Sequence, residues 1–374
     1  MKPLRVGLLG TGAILSGYHM PGWTALRDAG RVELAAACDV RRERADNLAK
    51  AHGIGLVFSD YKKMLREARL DLVDIATPNA LHAPAALSAL AAGCHVYCEK
   101  PLAPTPADVR RLIAARDRAG RKLMTGQHMR FEGKHAALKR FAEAGVLGDI
   151  YYARASWLRQ RLAPAWGGFL KKAIAGGGPL IDIGVHILDL VLWMMGFPKP
   201  VAVSGVAPTK LANLKQVANN PKWGDWKRDG KEFDVEDFAV GLVRFEDGAV
   251  LVLETSWLLN MVEKELMKAM VCGTLGGMDI TEGKIMTQEH GLVRISQVEG
   301  FAEPKAHAAA ITAFVEAVEK DGPVPVPAEE TLCVMTILDG IYRSQAKGGA
   351  EVKLASGMPA GLRHGAVPAR RDSG

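Results

Sequence analysis

The chain has 374 residues, 48% hydrophobic and 24% charged, a length and composition that predict a globular protein with room for two domains. No segment approaches the roughly 20 consecutive apolar residues of a membrane span, and the first residues enter a strand directly, so we expect a cytoplasmic protein without a membrane partner. The formal net charge of +7 comes from basic residues interspersed with acidic ones, which argues against a nucleic-acid partner.

The first third of the chain alternates short apolar runs with helical patterns. Such alternation predicts an α/β fold in which a doubly wound parallel sheet carries helices on both faces, and we assign residues 1–126 to it. The predicted strands are Leu4–Leu9, Val32–Cys38, one near Leu56, Leu72–Ala76, His95–Cys98 and Lys122–Thr125. The predicted helices are one that ends near Asp28, one over about Arg41–His52, one from Tyr61, and two over about Ala80–Ala92 and Thr105–Ala119.

Residues 127–356 show a different pattern, with several strand-like runs joined by short turns, which predicts an α+β domain with an open, mostly antiparallel sheet. The predicted strands are Ile150–Trp157, Ala202–Ala207, Phe238–Phe245, Ala249–Trp257 and Ala269–Cys272. The predicted helices are about Glu132–Ala144, Leu180–Met195, Ala308–Lys320 and Glu329–Ala346, the last two packing back on one of the domains. Residues 210–231 are predicted to form a long loop and residues 357–374 a flexible tail.

A glycine turn at residues 10–12 lies between the first predicted strand and a helix. Gly10 allows a tight turn, Gly12 lets the backbone approach a ligand, and the helix N-terminus offers free N–H groups with a partial positive charge. Leu15 stands where the dinucleotide fingerprint has a third glycine or alanine, which predicts looser helix–strand packing. The sequence thus predicts an NAD(P)-binding Rossmann domain. The predicted contacts of the pyrophosphate are Gly10, Gly12, Ala13 and Ile14.

Asp39 ends the second predicted strand, where a carboxylate can bind a ribose 2′-hydroxyl. The same charge repels a 2′-phosphate, which favours NAD over NADP. Arg41 and Arg42 follow closely and could offset that repulsion, so NADP stays open. A solvated aspartate at a strand end is the alternative interpretation.

Glu99, Lys100 and Pro101 follow the fifth predicted strand, and with four other segments they carry a family resemblance. The segments are GTGAI at 10–14, ATPNALH at 76–82, CEKPLA at 98–103, RF at 130–131 and GGGPLIDIGVHILD at 176–189. The chain resembles the Gfo/Idh/MocA family, that of glucose–fructose oxidoreductase and inositol dehydrogenase. The resemblance implies a catalytic trio of Lys100, Asp182 and His186, with His186 as acid/base. It also implies that Thr77, Asn79, His82, Glu99 and Lys100 line the cofactor.

The chemistry of this trio also follows from the residues themselves. Lys100 lies at the carboxyl edge of the predicted sheet, where an ammonium can hold a substrate oxygen and neutralise developing charge. Asp182 and His186 are four residues apart and would share one face of the predicted helix. His186 is suited to accept the hydroxyl proton, and Asp182 could hold the substrate or tune His186. Asp189, one turn further, could orient His186 or face solvent.

Two other interpretations of Asp182 and His186 stay open at this stage. Their spacing also suits a metal, but no HExxH motif or cysteine pair completes a site, and we predict none. They could also be buried residues with structural roles. Weaker candidates for the substrate or nicotinamide pocket are His128, Arg130, Trp157 and Trp166.

Three functions remain to be distinguished. The first is hydride transfer between NAD(P) and a hydroxyl or ketone of a sugar, sugar derivative or cyclitol. The second is redox-assisted glycoside cleavage, which would release an aglycone without net reduction of the cofactor. The third is a sugar- or cofactor-binding sensor, which retention of the lysine and histidine disfavours. The second-domain sheet suggests a homodimer or homotetramer, although helices of the same chain could cover its apolar face.

Overall fold

The computed structural model describes residues 2–354, and the predicted tail at 357–374 lies outside this part of the chain. Its first sheet has six strands in the order β3-β2-β1-β4-β5-β6, and all neighbouring pairs are parallel. The strands are β1 Leu4–Leu9, β2 Val32–Cys38, β3 Leu56–Phe58, β4 Leu72–Ile75, β5 His95–Cys98 and β6 Leu123–Thr125. Helices cover both faces, so these strands are almost continuously apolar and buried. The predicted α/β fold is confirmed.

The helices of this first unit connect the parallel strands. They are α1 Met20–Asp28, α2 Arg42–His52, α3 Tyr61–Glu67, α4 His82–Ala91 and α5 Pro106–Ala119. A π-helical segment, Leu15–His19, leads directly into α1. Strands β1 and β4 are neighbours although they are not consecutive, so the strand order reverses between them. A crevice at the carboxyl ends of the strands at such a switch point is where ligands bind in doubly wound folds.

The second sheet has nine strands in the order β14-β13-β12-β11-β7-β10-β9-β8-β15. Its only parallel pair in the described part of the chain is β7 with β10, so the mostly antiparallel sheet is confirmed. The strands are β7 Ile150–Arg159, β8 Pro200–Val206, β9 Phe238–Phe245, β10 Val250–Ser256, β11 Glu265–Gly273, β12 Gly276–Asp279, β13 Lys284–Glu289, β14 Leu292–Gln297 and β15 Val352–Lys353. The domain boundary near residue 126 stays a prediction.

Six α-helices follow residue 126 in the described part of the chain. They are α6 Gly133–Glu143, α7 Lys172–Ala175, α8 Pro179–Asp182, α9 Gly184–Met195, α10 Ala306–Glu319 and α11 Ala328–Gln345. The apolar helices α9 and α11 pack on strands β7 and β8 respectively, and α10 returns to pack against α1 of the first unit. Phe314 of α10 contacts Tyr97 of β5, with ring centroids 5.7 Å apart. The predicted return of the last helices is therefore seen.

The prediction of a single helix from Leu180 to Met195 is wrong in one respect, because this segment forms two helices, α8 and α9. The segments 172–182 and 184–195 meet at an angle of 46°. Within residues 2–354 no single helix has the length and apolar composition of a membrane span. Only this bent pair reaches that length and composition, and only when its two parts are counted together.

The outer edge of the second sheet exposes apolar side chains. Leu292, Val293 and Ile295 of β14 are 72%, 68% and 67% exposed. Helix α9 covers the central strands β7, β10 and β11, and α11 covers β8, β9 and β15 at the opposite end. The homo-oligomer expected from the sequence stays a prediction.

Candidate active site

Lys100 is held in place at the carboxyl edge of the first sheet, two residues beyond β5. Its Nζ donates to the Asp182 Oδ1 at 3.0 Å and to the Asp182 backbone carbonyl at 3.0 Å. The two side chains are only 16% and 14% exposed. An ammonium has three N–H donors, so one remains for a substrate oxygen. The structure thus brings together the lysine and aspartate predicted from the sequence, from positions 82 residues apart.

The break between α8 and α9 makes this arrangement possible. In a continuous helix the Asp182 carbonyl would accept from the N–H of His186, four residues on. Here the His186 N–H donates to Ile183 O at 3.2 Å instead, and the Asp182 carbonyl accepts from Lys100. The second carboxylate oxygen of Asp182 accepts from Trp257 Nε1 at 3.3 Å. Asp182 is therefore a positioning residue for Lys100, with both of its carboxylate oxygens engaged by neighbouring side chains.

His186 lies in the first turn of α9 and is 6% exposed. Its Nδ1 has no hydrogen-bond partner among the described residues. Burial lowers the pKa of His186 well below 6.5, and the positive charge of Lys100 adds to that effect. The imidazole is therefore neutral near pH 7, which is the protonation state that a proton acceptor requires, and its acid/base role stays a prediction.

Two further histidines, His128 and His307, lie beside His186. The ring centroid of His128 is 5.0 Å from that of His186, and His128 stacks on His307 of α10 at 3.9 Å. Burial lowers the pKa of His128 to about 3, with His307 adding in the same direction. Sequence reasoning predicted His128 but missed His307, because a lone histidine at the start of an apolar helix carries no motif.

Behind Lys100 lies a buried ionic cluster. His19 Nδ1 contacts Asp74 Oδ2 at 2.8 Å, and His19 Nε2 contacts Glu99 Oε1 at 3.0 Å. Burial lowers the pKa of His19, but the two carboxylates outweigh it and raise this pKa to about 10. Burial raises the pKa of Glu99, yet His19 and then Lys100 lower it to about 2. Glu99, predicted to line the cofactor, is thus a carboxylate committed to His19 and to the Lys100 backbone N–H at 3.2 Å.

The glycine turn has the geometry that a dinucleotide requires. Gly10 has φ +87°, and a Cβ there would lie 2.6 Å from the Ala76 carbonyl oxygen, so only glycine fits. Gly12 has open space around it, since a Cβ added there would have its nearest neighbour 4.0 Å away. Ala13 and Ile14 open the following helix with no side-chain cap, which leaves backbone N–H groups available. These residues fit a pyrophosphate.

Asp39 links this turn to the end of β2. One carboxylate oxygen accepts from Thr11 N at 3.0 Å, and the other accepts from Arg41 N at 2.9 Å. A carboxylate offers about four lone-pair sites, so capacity remains for a ribose hydroxyl. Asp39 is more than the solvated strand end considered from the sequence, because it is only 9% exposed.

The loop after β4 holds three predicted cofactor contacts. Asn79 Nδ2 donates to Ala175 O at 2.8 Å, and Thr77 Oγ1 is buried without a partner among the described residues. Both ring nitrogens of His82 lie 2.7 Å from carbonyl oxygens, those of Pro101 and Thr77. His82 is 1% exposed, so it ties this loop to the Lys100 turn rather than presenting a ring to a ligand.

Arg130 corrects another prediction, because it does not line a substrate pocket. It is 3% exposed and forms a two-pronged ion pair with Asp189, at 2.6 and 2.7 Å, and a further one with Glu330. Asp189 therefore neither orients His186 nor faces solvent, the two roles left open above. The local sequence around an arginine does not show whether its guanidinium will bind a substrate or form a buried ion pair.

The two predicted tryptophans lie on the second-domain side of the site. Trp157 is 6.3 Å from His186 between ring centroids, and its Nε1 donates to Glu265 Oε1 at 2.7 Å. Trp166 is 49% exposed and packs on Trp223 at 5.3 Å. A cavity of about 210 Å³ is lined by His128, Met129, Glu132, Lys134, His135, Trp157, Met267 and Thr281. Among residues 2–354 no group of three or more His, Cys, Asp or Glu residues is arranged to hold a metal.

Comparison with known families gives two matches along the chain. Residues 4–127 match the oxidoreductase family with an NAD-binding Rossmann fold, and residues 135–279 match the GFO/IDH/MocA C-terminal domain. The chain belongs to the Gfo/Idh/MocA oxidoreductase family. The resemblance inferred from the motifs is therefore confirmed, and the chain is an NAD-binding dehydrogenase of this family.

Individual members of the Gfo/Idh/MocA family are similar over nearly the whole chain. The D-glucoside 3-dehydrogenase of Escherichia coli is 34% identical over 94% of this chain and 98% of its own. The structure of the aldose–aldose oxidoreductase of Caulobacter crescentus, solved with glycerol, is 26% identical with a TM-score of 0.75. The match covers 94% of this chain and 100% of that protein. GenD2 from gentamicin A biosynthesis, solved with NAD, is 27% identical with a TM-score of 0.75, covering 95% and 97%.

Proposed function

We propose that this chain is an NAD-dependent sugar dehydrogenase that interconverts a secondary ring hydroxyl and the corresponding ketone. The observation that carries the proposal is the Lys100–Asp182 ion pair with one ammonium N–H to spare, beside a neutral, buried His186. The similarity to the D-glucoside 3-dehydrogenase supports a sugar substrate. A cytoplasmic location remains part of the proposal.

Lys100 and His186 would divide the work on the substrate hydroxyl. The free N–H of Lys100 donates to the hydroxyl oxygen, so that its positive charge stabilises the negative charge that develops there. His186 accepts the hydroxyl proton, since its imidazole is neutral and its Nδ1 has no other partner among the described residues. When bound, NAD supplies the acceptor for the hydride from the same carbon. Asp182 fixes the direction of Lys100 through both its carboxylate and its carbonyl.

The direct test follows NADH absorbance with NAD and a panel of hexoses, hexosides, sugar acids and inositols. We expect NADH to form with sugars of one class. The alternative of redox-assisted glycoside cleavage would release aglycone with no net NADH, so product chromatography accompanies each assay. No NADH and no cleavage with any panel member, despite measured NADH binding, would overturn the proposal.

The pH dependence of oxidation tests the assignment of His186. Because its folded pKa lies well below 6.5, His186 stays deprotonated as the pH falls. We expect kcat/KM for oxidation to show no acid-side decline between about pH 8 and about pH 6, whereas an unperturbed histidine, with a pKa of about 6.5, would already have lost about half of this activity at about pH 6.5. His186→Asn should lower kcat by about 10²–10⁴-fold. Full activity of this variant would show that another group takes the proton.

Asp39 sets the cofactor preference in this proposal. Asp39→Asn removes the charge that repels a 2′-phosphate but keeps one oxygen acceptor for the Thr11 N–H. We expect kcat/KM with NAD to fall about tenfold, since a hydrogen bond to a charged group contributes about 1.5–3 kcal/mol. The ratio of kcat/KM with NAD to kcat/KM with NADP should fall as well. Asp46→Asn, on the exposed side of α2, makes the same charge change as a control. An unchanged preference would assign cofactor choice to other residues.

A further inference from the structure

A row of packed aromatic and guanidinium side chains leads from His186 along the second-domain side of the site. We call it the aromatic row, formed by Trp157, Arg159, Trp223 and Trp166. The Arg159 guanidinium lies 5.0 Å from the ring centroids of both Trp157 and Trp223. Trp166 then packs on Trp223 at 5.3 Å. The inner end, Trp157, is 6.3 Å from His186, so the row begins at the proposed site of chemistry.

The inner half of the aromatic row is fixed by one carboxylate. Glu265 Oε1 accepts from Trp157 Nε1 at 2.7 Å and from Arg159 Nε at 2.8 Å. Trp157 and Arg159 are two residues apart along β7 and therefore share one face of the sheet. A guanidinium has five N–H donors, and the contact with Glu265 uses only the one on Nε. The other four donors are on the two terminal nitrogens, and since the Arg159 side chain is 11% exposed, they are the ones that a hydroxyl group of a ligand would meet at the open part of this side chain.

The outer half lies on two long loops, residues 160–171 and 207–237, that are joined by hydrogen bonds. Asn219 Nδ2 donates to the carbonyls of Ala163 and Gly224, each at 2.8 Å. Ala165 N donates to Trp223 O at 2.9 Å. Both loops contribute to a small apolar core of Ala163, Leu170, Ile183, Ala212, Trp226, Phe233, Val235, Trp257 and Leu258. The loops therefore present Trp166 and Trp223 on a supported surface.

Exposure distinguishes the outer end of the row from ordinary core packing. Trp166 is 49% exposed, whereas Trp226 and Trp257, which belong to the neighbouring apolar core, are 6% and 0% exposed. An indole left half in water beside a second indole offers a large apolar face at low entropic cost. The C–H face of a pyranose and the face of an aryl ring both fit such a surface.

We propose that the aromatic row is a subsite for a second ring, attached by a glycosidic bond to the sugar that is oxidised. The inference rests on the proposed function and specifies its substrate class as glycosides with a ring-shaped aglycone. The reacting ring lies at Lys100 and His186. The second ring extends outward over Arg159 and Trp223 toward Trp166.

The test compares methyl glucosides, phenyl glucosides and glucosyl disaccharides of both anomeric configurations in the complete enzyme. We expect wild type to give a higher kcat/KM for two-ring substrates than for methyl glucosides. Trp166→Ala and Trp223→Ala should lower this ratio about tenfold, mainly through KM, as expected for the loss of one aromatic stacking contact. Trp166→Phe should retain much of the ratio. Tyr151→Ala, a similarly exposed aromatic on β7, is the matched control.

The outcomes separate the two proposals. Equal losses on methyl glucosides and on two-ring substrates would overturn the subsite while leaving the dehydrogenase intact. A wild-type enzyme with no preference for a second ring would do the same. Inactivity toward every sugar would instead contradict the proposed function. A preference for phenyl glucosides alone or disaccharides alone would support the subsite and define whether it takes an aryl ring or a sugar.

Discussion

Replacing Lys100 by methionine is expected to lower kcat for sugar oxidation by about 10²–10⁴-fold, the range seen when a positioned acid–base or oxyanion-stabilising group is removed. Methionine keeps much of the length of the side chain but loses the ammonium that Asp182 holds at 3.0 Å. The loss should appear in kcat rather than in cofactor affinity, because the glycine turn and Asp39 are separate from this ion pair. Steady-state kinetics and NADH fluorescence titration measure the two effects.

The role of Lys100 is checked against a control lysine on the surface of the protein. Lys62→Met removes the same charge from an exposed position on α3 and should leave turnover unchanged. If Lys100→Met also abolished NADH binding, its role would be structural within the cofactor site. If the variant turned over at the wild-type rate, the proposed division of work between Lys100 and His186 would be wrong.

Arg130→Met is expected to lower the free energy of unfolding by about 3–5 kcal/mol, as for other buried ion pairs that lose one partner. The substitution leaves Asp189 and Glu330 buried without the guanidinium that contacts both. Urea unfolding followed by circular dichroism measures the change. Arg111→Met, which removes a surface ion pair whose arginine is 67% exposed, should cost no more than about 1 kcal/mol.

The Arg130 defect should also depend on pH. Burial already raises the pKa of Asp189 above its usual value, despite the neighbouring arginine. Without Arg130 its folded pKa lies further above the unfolded value, so the protonated form stabilises the fold at low pH and this contribution is lost as the pH rises. The defect should therefore be larger at about pH 8 than at about pH 5. A pH-independent defect would indicate lost packing against Phe197 and Trp193 instead.

The sequence predicted the parallel sheet well because its strands are buried on both faces and therefore appear as uninterrupted apolar runs. Strands β12 to β14 were missed because they are short, glycine-containing or polar, and β14 exposes its apolar residues instead of burying them. No local pattern separated them from loop.

The candidate site was predicted in part. Lys100, Asp182 and His186 were found from their motifs. The break between α8 and α9 was not found, because the group that occupies the Asp182 carbonyl in place of the His186 N–H is a lysine 82 residues away. His307 and Arg159 reach the site through tertiary packing, which no local spacing encodes. Arg130 was misassigned because its acidic partners lie 59 and 200 residues along the chain.

Helix α10 completes the apolar core of the nucleotide-binding unit from a distant part of the sequence. Its residues Ile311, Phe314 and Val315 share one apolar core with Trp23 and Tyr97 of the nucleotide-binding unit. During synthesis, the apolar core of that unit is therefore incomplete until residue 315 has been added to the chain. We therefore expect the first third of the chain, when produced as a separate fragment, to expose the apolar surface that α10 covers in the complete protein.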